Sequence, residues 1–507
     1  MIGAGIAGLA AAATLARAGR NTVVLEQHFQ PGGYWSSFVR QGIVFDISPH
    51  WTTAPERVNA LLAEHGVGPL EFHRHAHVGR YLGPQAGWDV WVGADRRRFE
   101  DSVLASFPGA SREALVRLEE TCLEAFAAID SVPPRNLELA GPPARLASFL
   151  GLAWKLRKIL RYTRQPTEIF LESYFPGESL RGLRTLLALT APIPDIASIG
   201  VIAMLGIALQ GRAFSPVGGA QVVGDAFARA ARSSGAAILY RQKVMRILVE
   251  GGRVAGVELE DGSRLSANAV VAAMDARQLY TGLLDPALMP PAFRRKLDAY
   301  PPSEPYVILS VVTDLDPAAF GFEGTDTFVA SSPNLKETLA PNDPERGFFE
   351  LVFPRFRTPE ASPRHHGLQI VAPATFDYEQ RWRSGPGLER GEAYRQLKGS
   401  YADALLRHAE SLLPGLRQHI LHLDVATPLT MHRYTLNDRG APVGWGYRNP
   451  LRWKQRVAFR RGWNPAGMPA LYQAGHWVGP SGVVNAATSG KHAAELALHD
   501  MEEKKWS

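Results

Sequence analysis

The sequence predicts an α/β fold, and three observations predict it. The chain opens with Gly3, Gly5 and Gly8 in a G-x-G-x-x-G arrangement, which runs into an alanine-rich helical stretch and then a β-rich run ending at Glu26. A strand and helix alternation resumes near residue 213 and reaches a buried apolar run at 269–273. The chain closes, over 471–498, on a strand, a glycine-rich loop and a small-residue helix. Together these describe a Rossmann-type dinucleotide-binding domain assembled from discontinuous segments, with an inserted α+β substrate domain. The binding domain takes 1–72, 213–300 and 421–507, and the substrate domain takes 73–212 and 301–420.

In the first segment, Gly3 permits the tight turn after the opening strand, Gly5 lets the backbone approach a pyrophosphate, and Gly8 lets the helix pack against the sheet. Ile6 and Ala7 open that helix, whose N-terminal N–H groups face the phosphates. The helical run 10–17 ends at Ala18-Gly19, and Thr22 to Leu25 carries Glu26, followed by Gln27, to the ribose hydroxyls. Only Met1 and Ile2 precede Gly3, where a first parallel strand usually supplies about five apolar residues. The first strand is therefore expected to be clipped, with the natural start upstream. Residues 1–16 are apolar but carry no basic n-region, which sets a secretory signal aside.

Composition narrows the rest. With 507 residues and 46% hydrophobic content, the chain is long enough for two or three domains with sizeable cores. One cysteine, Cys122, rules out a disulfide framework and multi-cysteine metal sites, and fits a reducing cytoplasm. A net charge of +6 and a pI near 9.3 point to an anionic partner. No nucleic-acid motif accompanies that charge, which leaves a membrane surface or a cofactor's phosphates.

Two stretches bear on membranes. From Leu139 to Thr167 there is no acidic residue, while Arg145, Lys155, Arg157, Lys158, Arg161 and Arg164 are basic. On a helical wheel Phe149, Leu152, Leu156, Ile159 and Leu160 share one arc, the pattern of a helix lying in a membrane interface or of an ordinary amphipathic helix. The apolar stretch 185–211 is interrupted at Pro192, Pro194 and Asp195, leaving 196–209 continuous. As a helix that run rises about 21 Å, short of the roughly 30 Å hydrocarbon core. A buried helix lining an apolar cavity is the favoured reading, with a shallow dip into one leaflet as the alternative. Peripheral membrane association is accordingly expected through about 139–164 and 185–211, on the cytoplasmic face.

His73, His75 and His77 alternate and would share one strand face, here read as a solvated or partly buried face in preference to a metal site. Arg96-Arg97-Arg98 is read as a polar turn. Gly218-Gly219 open a helix that Gly235 ends. The runs 244–250 and 253–259 alternate about Gly251-Gly252 as a β-hairpin. Residues 301–420 mix strands, such as 306–312, with a helix near 392–413.

The opening fingerprint, PGGYWSSF at 31–38 and LYQAGHWVGPSGVV at 471–484 together resemble the flavoprotein superfamily of bacterial phytoene desaturases, carotenoid cis-trans isomerases, retinol saturases and, more distantly, amine oxidases. The resemblance implies an FAD-binding domain. It assigns Glu26 to the adenosine ribose and Gly32-Gly33, with Tyr34 beside them, to the pyrophosphate loop. GIVFDISPHW at 42–51 resembles the family's approach to the flavin ring, placing Pro49, His50 and Trp51 near the isoalloxazine. Val244 resembles the backbone contact to adenine, Ala273 lies beside the dinucleotide, and Gly475, Gly482, Val483 and Val484 resemble the contacts to ribityl and flavin. AFSPVGG at 213–219 and VATPLT at 425–430 also resemble family segments. The departures are the clipped first strand and Ser48, where a glycine is usual.

The implied FAD is non-covalent, because no residue matches a cysteinyl attachment motif. No second G-x-G-x-x-G exists, so NADPH, as a reductant, would bind transiently. The His50-Trp51 and His476-Trp477 pairs are the catalytic candidates: the histidines could poise protonation and the tryptophans shape an apolar slot, although packing against the cofactor is the favoured role. Hydride transfer at flavin N5 needs orientation and exclusion of water more than a strong base. The resulting expectation is an FAD-dependent oxidoreductase acting on a long apolar polyene or isoprenoid by desaturation, cis-trans isomerisation or saturation. A flavin amine oxidase and a catalytically silent FAD-containing lipid-binding protein are the alternatives.

Overall fold

Residues 1–3 supply one central rung of a parallel sheet. Met1 O accepts from Leu25 N (3.0 Å) and Gly3 N donates to Leu25 O (2.9 Å), while Ile2 N donates to Val271 O (3.0 Å) and Ala273 N to Ile2 O (2.8 Å). Strand Val23–Glu26 pairs in parallel with Ala237–Tyr240, and Val270–Ala272 pairs in parallel with Leu471–Gln473. The order across this sheet is therefore 237–240, 23–26, residue 2, 270–272, 471–473. The opening strand is as short as expected, a bridge instead of a full strand. These coordinates come from a computed structural model, which describes the chain apart from residues 49–50, 84–86, 133–135, 137–138, 194–195, 323, 355–363, 447–466 and 504–507.

Helices cover this sheet by backbone contact. In helix Ile6–Arg17, Ala7, Ala11 and Leu15 pack against Ala493, Ala494 and Ala497 of the closing helix Val483–Glu502. A Cβ on Gly490 would stand 1.9 Å from Ala7 O, so only glycine lets the two helices approach this closely. On its other side the first helix meets helix Ala220–Ser233 through Ala13, Ala16, Val223, Phe227 and Ala230.

The second sheet has seven strands in the order 420–426, 306–313, 366–373, 349–352, 327–329, 77–83, 88–93. Strand Tyr306–Thr313 lies between His366–Pro373 and Ile420–Ala426, antiparallel to both. Its side chains alternate as a pleated strand requires. Val307, Leu309 and Val311 pack with Tyr394, Tyr401 and Leu405 of helix Glu392–Glu410. Ile308 meets Met431, and Val312 meets Ile43 and Phe45 of the hairpin formed by Ser37–Arg40 and Ile43–Asp46. This strand thus ties the large sheet to the dinucleotide half, and the boundary placed at 420/421 falls inside a strand of the large sheet.

A helical layer over 112–209 closes one end. Helix Ser198–Leu209 buries Val201, Ile202, Leu205 and Leu209 against helix Arg112–Asp130. A Cβ on Gly206 would lie 2.7 Å from Cys122 O. The stretch 185–211 is therefore consumed in packing, with Leu186, Leu187 and Leu189 also buried, as the favoured buried-helix reading expects, and the shallow dip into a leaflet through this stretch is corrected. Among the described residues, no helix is long and apolar enough to cross a membrane.

Two local expectations also change. Arg96-Arg97-Arg98 begins helix Arg96–Ser106 instead of forming a turn, because the Asp95 side chain accepts from Arg98 N at 3.0 Å and caps it. The three histidines do not share a strand face. Strand Phe72–Arg74 ends before His75, and His77–Gly83 begins in the other, larger sheet. His75 bonds the Ser215 hydroxyl at 2.8 Å, while His77 bonds Arg98 at 2.9 Å and meets the Trp91 ring edge-on. The predicted hairpin forms as expected, with Val244–Glu250 antiparallel to Arg253–Leu259 about Gly251-Gly252 at φ 57° and 76°.

Candidate functional site

The first three glycines meet three different spatial demands. Gly3 has φ 90°, and a Cβ there would come within 2.9 Å of Ala273 O. A Cβ on Gly8 would strike Gly3 O at 2.0 Å, so helix and turn touch through bare backbone. Gly5, the N-cap of the first helix, has nothing within 4 Å of where its Cβ would stand. The approach to that helix N-terminus is open. Gly32 (φ 115°) donates its N–H to Ala4 O at 2.9 Å, and Gly33 (φ 61°) brings its own Cβ direction to 3.2 Å from Gly5 Cα. Ile6 and Ala7 form the first helical turn behind this glycine cradle.

Glu26 is buried at the end of its strand, 8% exposed. Its carboxylate accepts from Ala4 N at 2.7 Å and His28 N at 2.8 Å, so it fixes the glycine turn. Gln27 follows it, and Gln242 N donates to Glu26 O at 2.8 Å, which brings the chain leading to Val244 alongside. Val244 is buried and pairs with Leu259.

Tyr34 and His476 face one another at the other end, with ring centroids 6.4 Å apart. The Tyr34 hydroxyl donates to Ala441 O at 3.1 Å, and burial pushes its pKa up to about 12. Burial pulls His476 down to about 4, so the imidazole is neutral at working pH. Gly475 (φ 100°) turns the chain there, held by its N–H to the Ser489 hydroxyl at 2.7 Å, and Gly482 (φ 103°) precedes Val483 and Val484 at the start of the closing helix.

The two members of the His476-Trp477 pair separate. Trp477 is 2% exposed and meets Trp445 edge-on at 4.7 Å, while Trp445 Nε1 donates to Trp477 O at 2.8 Å. It packs the core behind His476 beside Tyr300 and Met468. Trp51 is partly exposed, and its neighbour Thr52 exchanges both backbone bonds with Phe214 (2.8 and 3.0 Å), joining GIVFDISPHW to AFSPVGG. Pro49 and His50 lie outside the described residues.

Three positioning residues escaped the sequence reading. Asp46, fully buried, accepts from the Ser37 hydroxyl at 2.7 Å and Ala220 N at 2.8 Å, so it holds the N-terminus of helix Ala220–Ser233. Asp275 accepts from Gln278 N and Asp438 N, both at 2.8 Å, and fastens the end of strand Val270–Ala272 to the loop carrying Ala441. Its burial raises its pKa to about 7. Ser489 orients Gly475. The available signal for both aspartates was an acid ending an apolar strand run; Ser489 had none beyond sitting among small residues.

A single-fingerprint Rossmann site whose closing helix returns to the first helix, beside a large mixed sheet, defines a flavin-dependent oxidoreductase class. The cradle fits FAD on its geometry: bare glycine backbone on three sides, an open helix N-terminus and a buried acid one strand away. The family described as flavin containing amine oxidoreductase matches residues 6–498, and the chain belongs to that family. All-trans-retinol 13,14-reductase of Danio rerio is 24% identical over 88% of this chain and 77% of its own length. Prolycopene isomerase 1 (chloroplastic) of an Oncidium hybrid cultivar is 23% identical over 99% of this chain and 84% of its own. Putrescine oxidase bound to putrescine shares the fold, with TM-score 0.62 and 16% identity over 98% of each chain.

Proposed function

We propose that the protein is an FAD-dependent oxidoreductase acting on a long apolar polyene or isoprenoid at a membrane surface. The observation that carries this reading is the uncharged pair Tyr34 and His476, which we assign, among the described residues, to the flavin end of the site. Burial holds His476 down to about 4 and pushes Tyr34 up to about 12, so both wall groups are neutral between those values. A polyene has no charge to pair with, and neutral aromatic walls accept it without burying an ion. Neither group offers an ammonium substrate a counter-ion. The names of the retinol reductase and the prolycopene isomerase, both enzymes of conjugated isoprenoids, support the same substrate class.

When bound, FAD would accept hydride in its oxidised state and donate it in its reduced state, so desaturation belongs to the first and saturation to the second, while isomerisation, which is redox-neutral, would need the reduced state without consuming it. The chain's own residues hold and shield. Gly3, Gly5, Gly32 and Gly33 would take the pyrophosphate against the helix N-terminus, and Glu26 the ribose. Gly475, Gly482, Val483 and Val484 would close over the ribityl and flavin, with Tyr34, Trp51 and His476 bounding the ring. Trp477 and Trp445, packed edge-on behind His476, would keep water from its back. A nicotinamide reductant, where one is used, visits transiently. The cytoplasmic face of a membrane is the proposed location.

The test is chromatography of the extracted polyene after incubation of the flavin-loaded enzyme with detergent-dispersed all-trans-retinol or prolycopene, in oxidised and reduced states. Altered hydrogenation or geometry in one state is expected. An unaltered polyene in both, with flavin retained, would leave the lipid-binding alternative.

A further inference from the structure

Helix Pro142–Leu156 has an unusual environment for its composition. None of its described residues is buried. Leu146, Phe149, Leu150 and Trp154 are 60%, 64%, 58% and 68% exposed, which is a contiguous apolar surface far beyond scattered single residues. Immediately after it the chain is anchored again, because Ile159 and Tyr162 are each 5% exposed in the core of the helical layer. The helix is therefore a projecting element held firmly at its C-terminal end.

At that end a cavity of about 330 Å³ is lined by Thr121, Glu124, Arg157, Lys158, Arg161 and Tyr162. The cations are arranged by their neighbours. Arg157 lies over the Trp154 ring at 3.8 Å and bonds Trp154 O, Arg161 donates to the Tyr162 hydroxyl at 2.5 Å, and Lys158 pairs with Glu124 at 2.5 Å. With three cations against one carboxylate, the cavity keeps a net positive charge. Arg157 links this cavity to the exposed apolar row, since it lines the one and stacks on Trp154 of the other, an amphipathic ring of the kind that sits between headgroups and acyl chains.

We propose that helix Pro142–Leu156 lies in the membrane interface and that the adjoining cavity binds the phosphate headgroup of an anionic bilayer lipid through Arg157 and Arg161. The inference rests on the membrane-surface element of the proposed function and deepens it. Charge complementarity selects this occupant: an apolar row bordered by six basic and no acidic residues over 139–167 matches acyl chains under anionic headgroups.

The experiment is flotation of the flavin-loaded protein with phosphatidylcholine vesicles, with and without phosphatidylglycerol, at low and high salt. The wild type should float with the anionic vesicles and lose binding as salt rises. R157Q/R161Q should bind anionic vesicles about thirtyfold more weakly, at about one kcal/mol per basic residue, and keep its flavin. Quenching of tryptophan fluorescence by brominated acyl chains should fall sharply in W154F. Wild-type protein remaining at the bottom with anionic vesicles at low salt, equal flotation with neutral vesicles, unchanged binding of R157Q/R161Q, or unchanged quenching in W154F would each overturn the proposal. Turnover of detergent-dispersed polyene, measured in parallel, separates the two readings. Turnover without docking removes this inference together with the membrane location it rests on and leaves the substrate assignment, whereas docking without turnover removes the substrate assignment alone.

Discussion

At position 476 burial fixes the charge of a side chain that the sequence only nominates. His476 has a folded pKa near 4 against about 6.5 when unfolded. Between those values the unfolded chain binds the extra proton, so this group makes stability fall as pH drops from about 6.5 to 4. Asp275 acts in the opposite sense. Its folded pKa near 7 lies above the unfolded 3.8, the folded state binds the extra proton, and its contribution falls as pH rises from 3.8 to 7. The slopes oppose one another in the overlap. Chemical denaturation across pH 4–7 should show H476Q with a more negative slope of stability against pH than wild type, and D275N with a more positive one; unchanged slopes would refute these protonation states. Glu26→Ala strips Ala4 N and His28 N of their acceptor, and should cost about 1–3 kcal/mol in denaturation and lower the flavin-to-protein absorbance ratio. Glu26 was legible because strand, turn and acid occur in fixed register. The division between His476 and Trp477 was not, because adjacent residues after a glycine at φ 100° take directions that no spacing rule supplies.

Among elements, the contact between the first and closing helices shows what pattern can and cannot reveal. Their alanine and glycine content signals close packing, but which glycine meets which carbonyl emerges only in three dimensions. Gly490→Ala would place a methyl 1.9 Å from Ala7 O, pushing the closing helix away from the cradle. The expected cost is about 1–3 kcal/mol in the denaturant midpoint, with weaker flavin retention, whereas alanine at Gly235, which has φ 100° but nothing within 4 Å, is strained locally and should retain flavin. The hairpin about Gly251-Gly252 was readable from alternation and turn chemistry alone. The helix at Arg96–Ser106 was missed because a run of arginines hides the Asp95 cap, and Arg96 pairs with the buried Glu119 carboxylate, a partner 23 residues away. The apolar stretch at 185–211 carried an ambiguous signal, since apolar runs serve cores and membranes alike. Small Gly206 against Cys122 O decides for the core.

Across the whole molecule, strand Tyr306–Thr313 couples the halves by facing helix Glu392–Glu410 on one side and the hairpin before the flavin segment on the other. The sequence signals the dinucleotide half strongly, since its glycines and acid are local. The large sheet is assembled from strands scattered over 77–426, and nothing local specifies that order. Between the halves lies the chemistry we propose, in which neutral Tyr34 and His476 bound a flavin that serves a polyene. Its most direct test is an anaerobic reaction of the flavin-loaded enzyme, prepared oxidised and reduced, followed by recording flavin and polyene absorbance together. A change in the polyene chromophore in one of the two states is expected, with no bleaching of oxidised flavin by a simple primary amine. A polyene spectrum unchanged in both states, or flavin bleached by the amine, would contradict it.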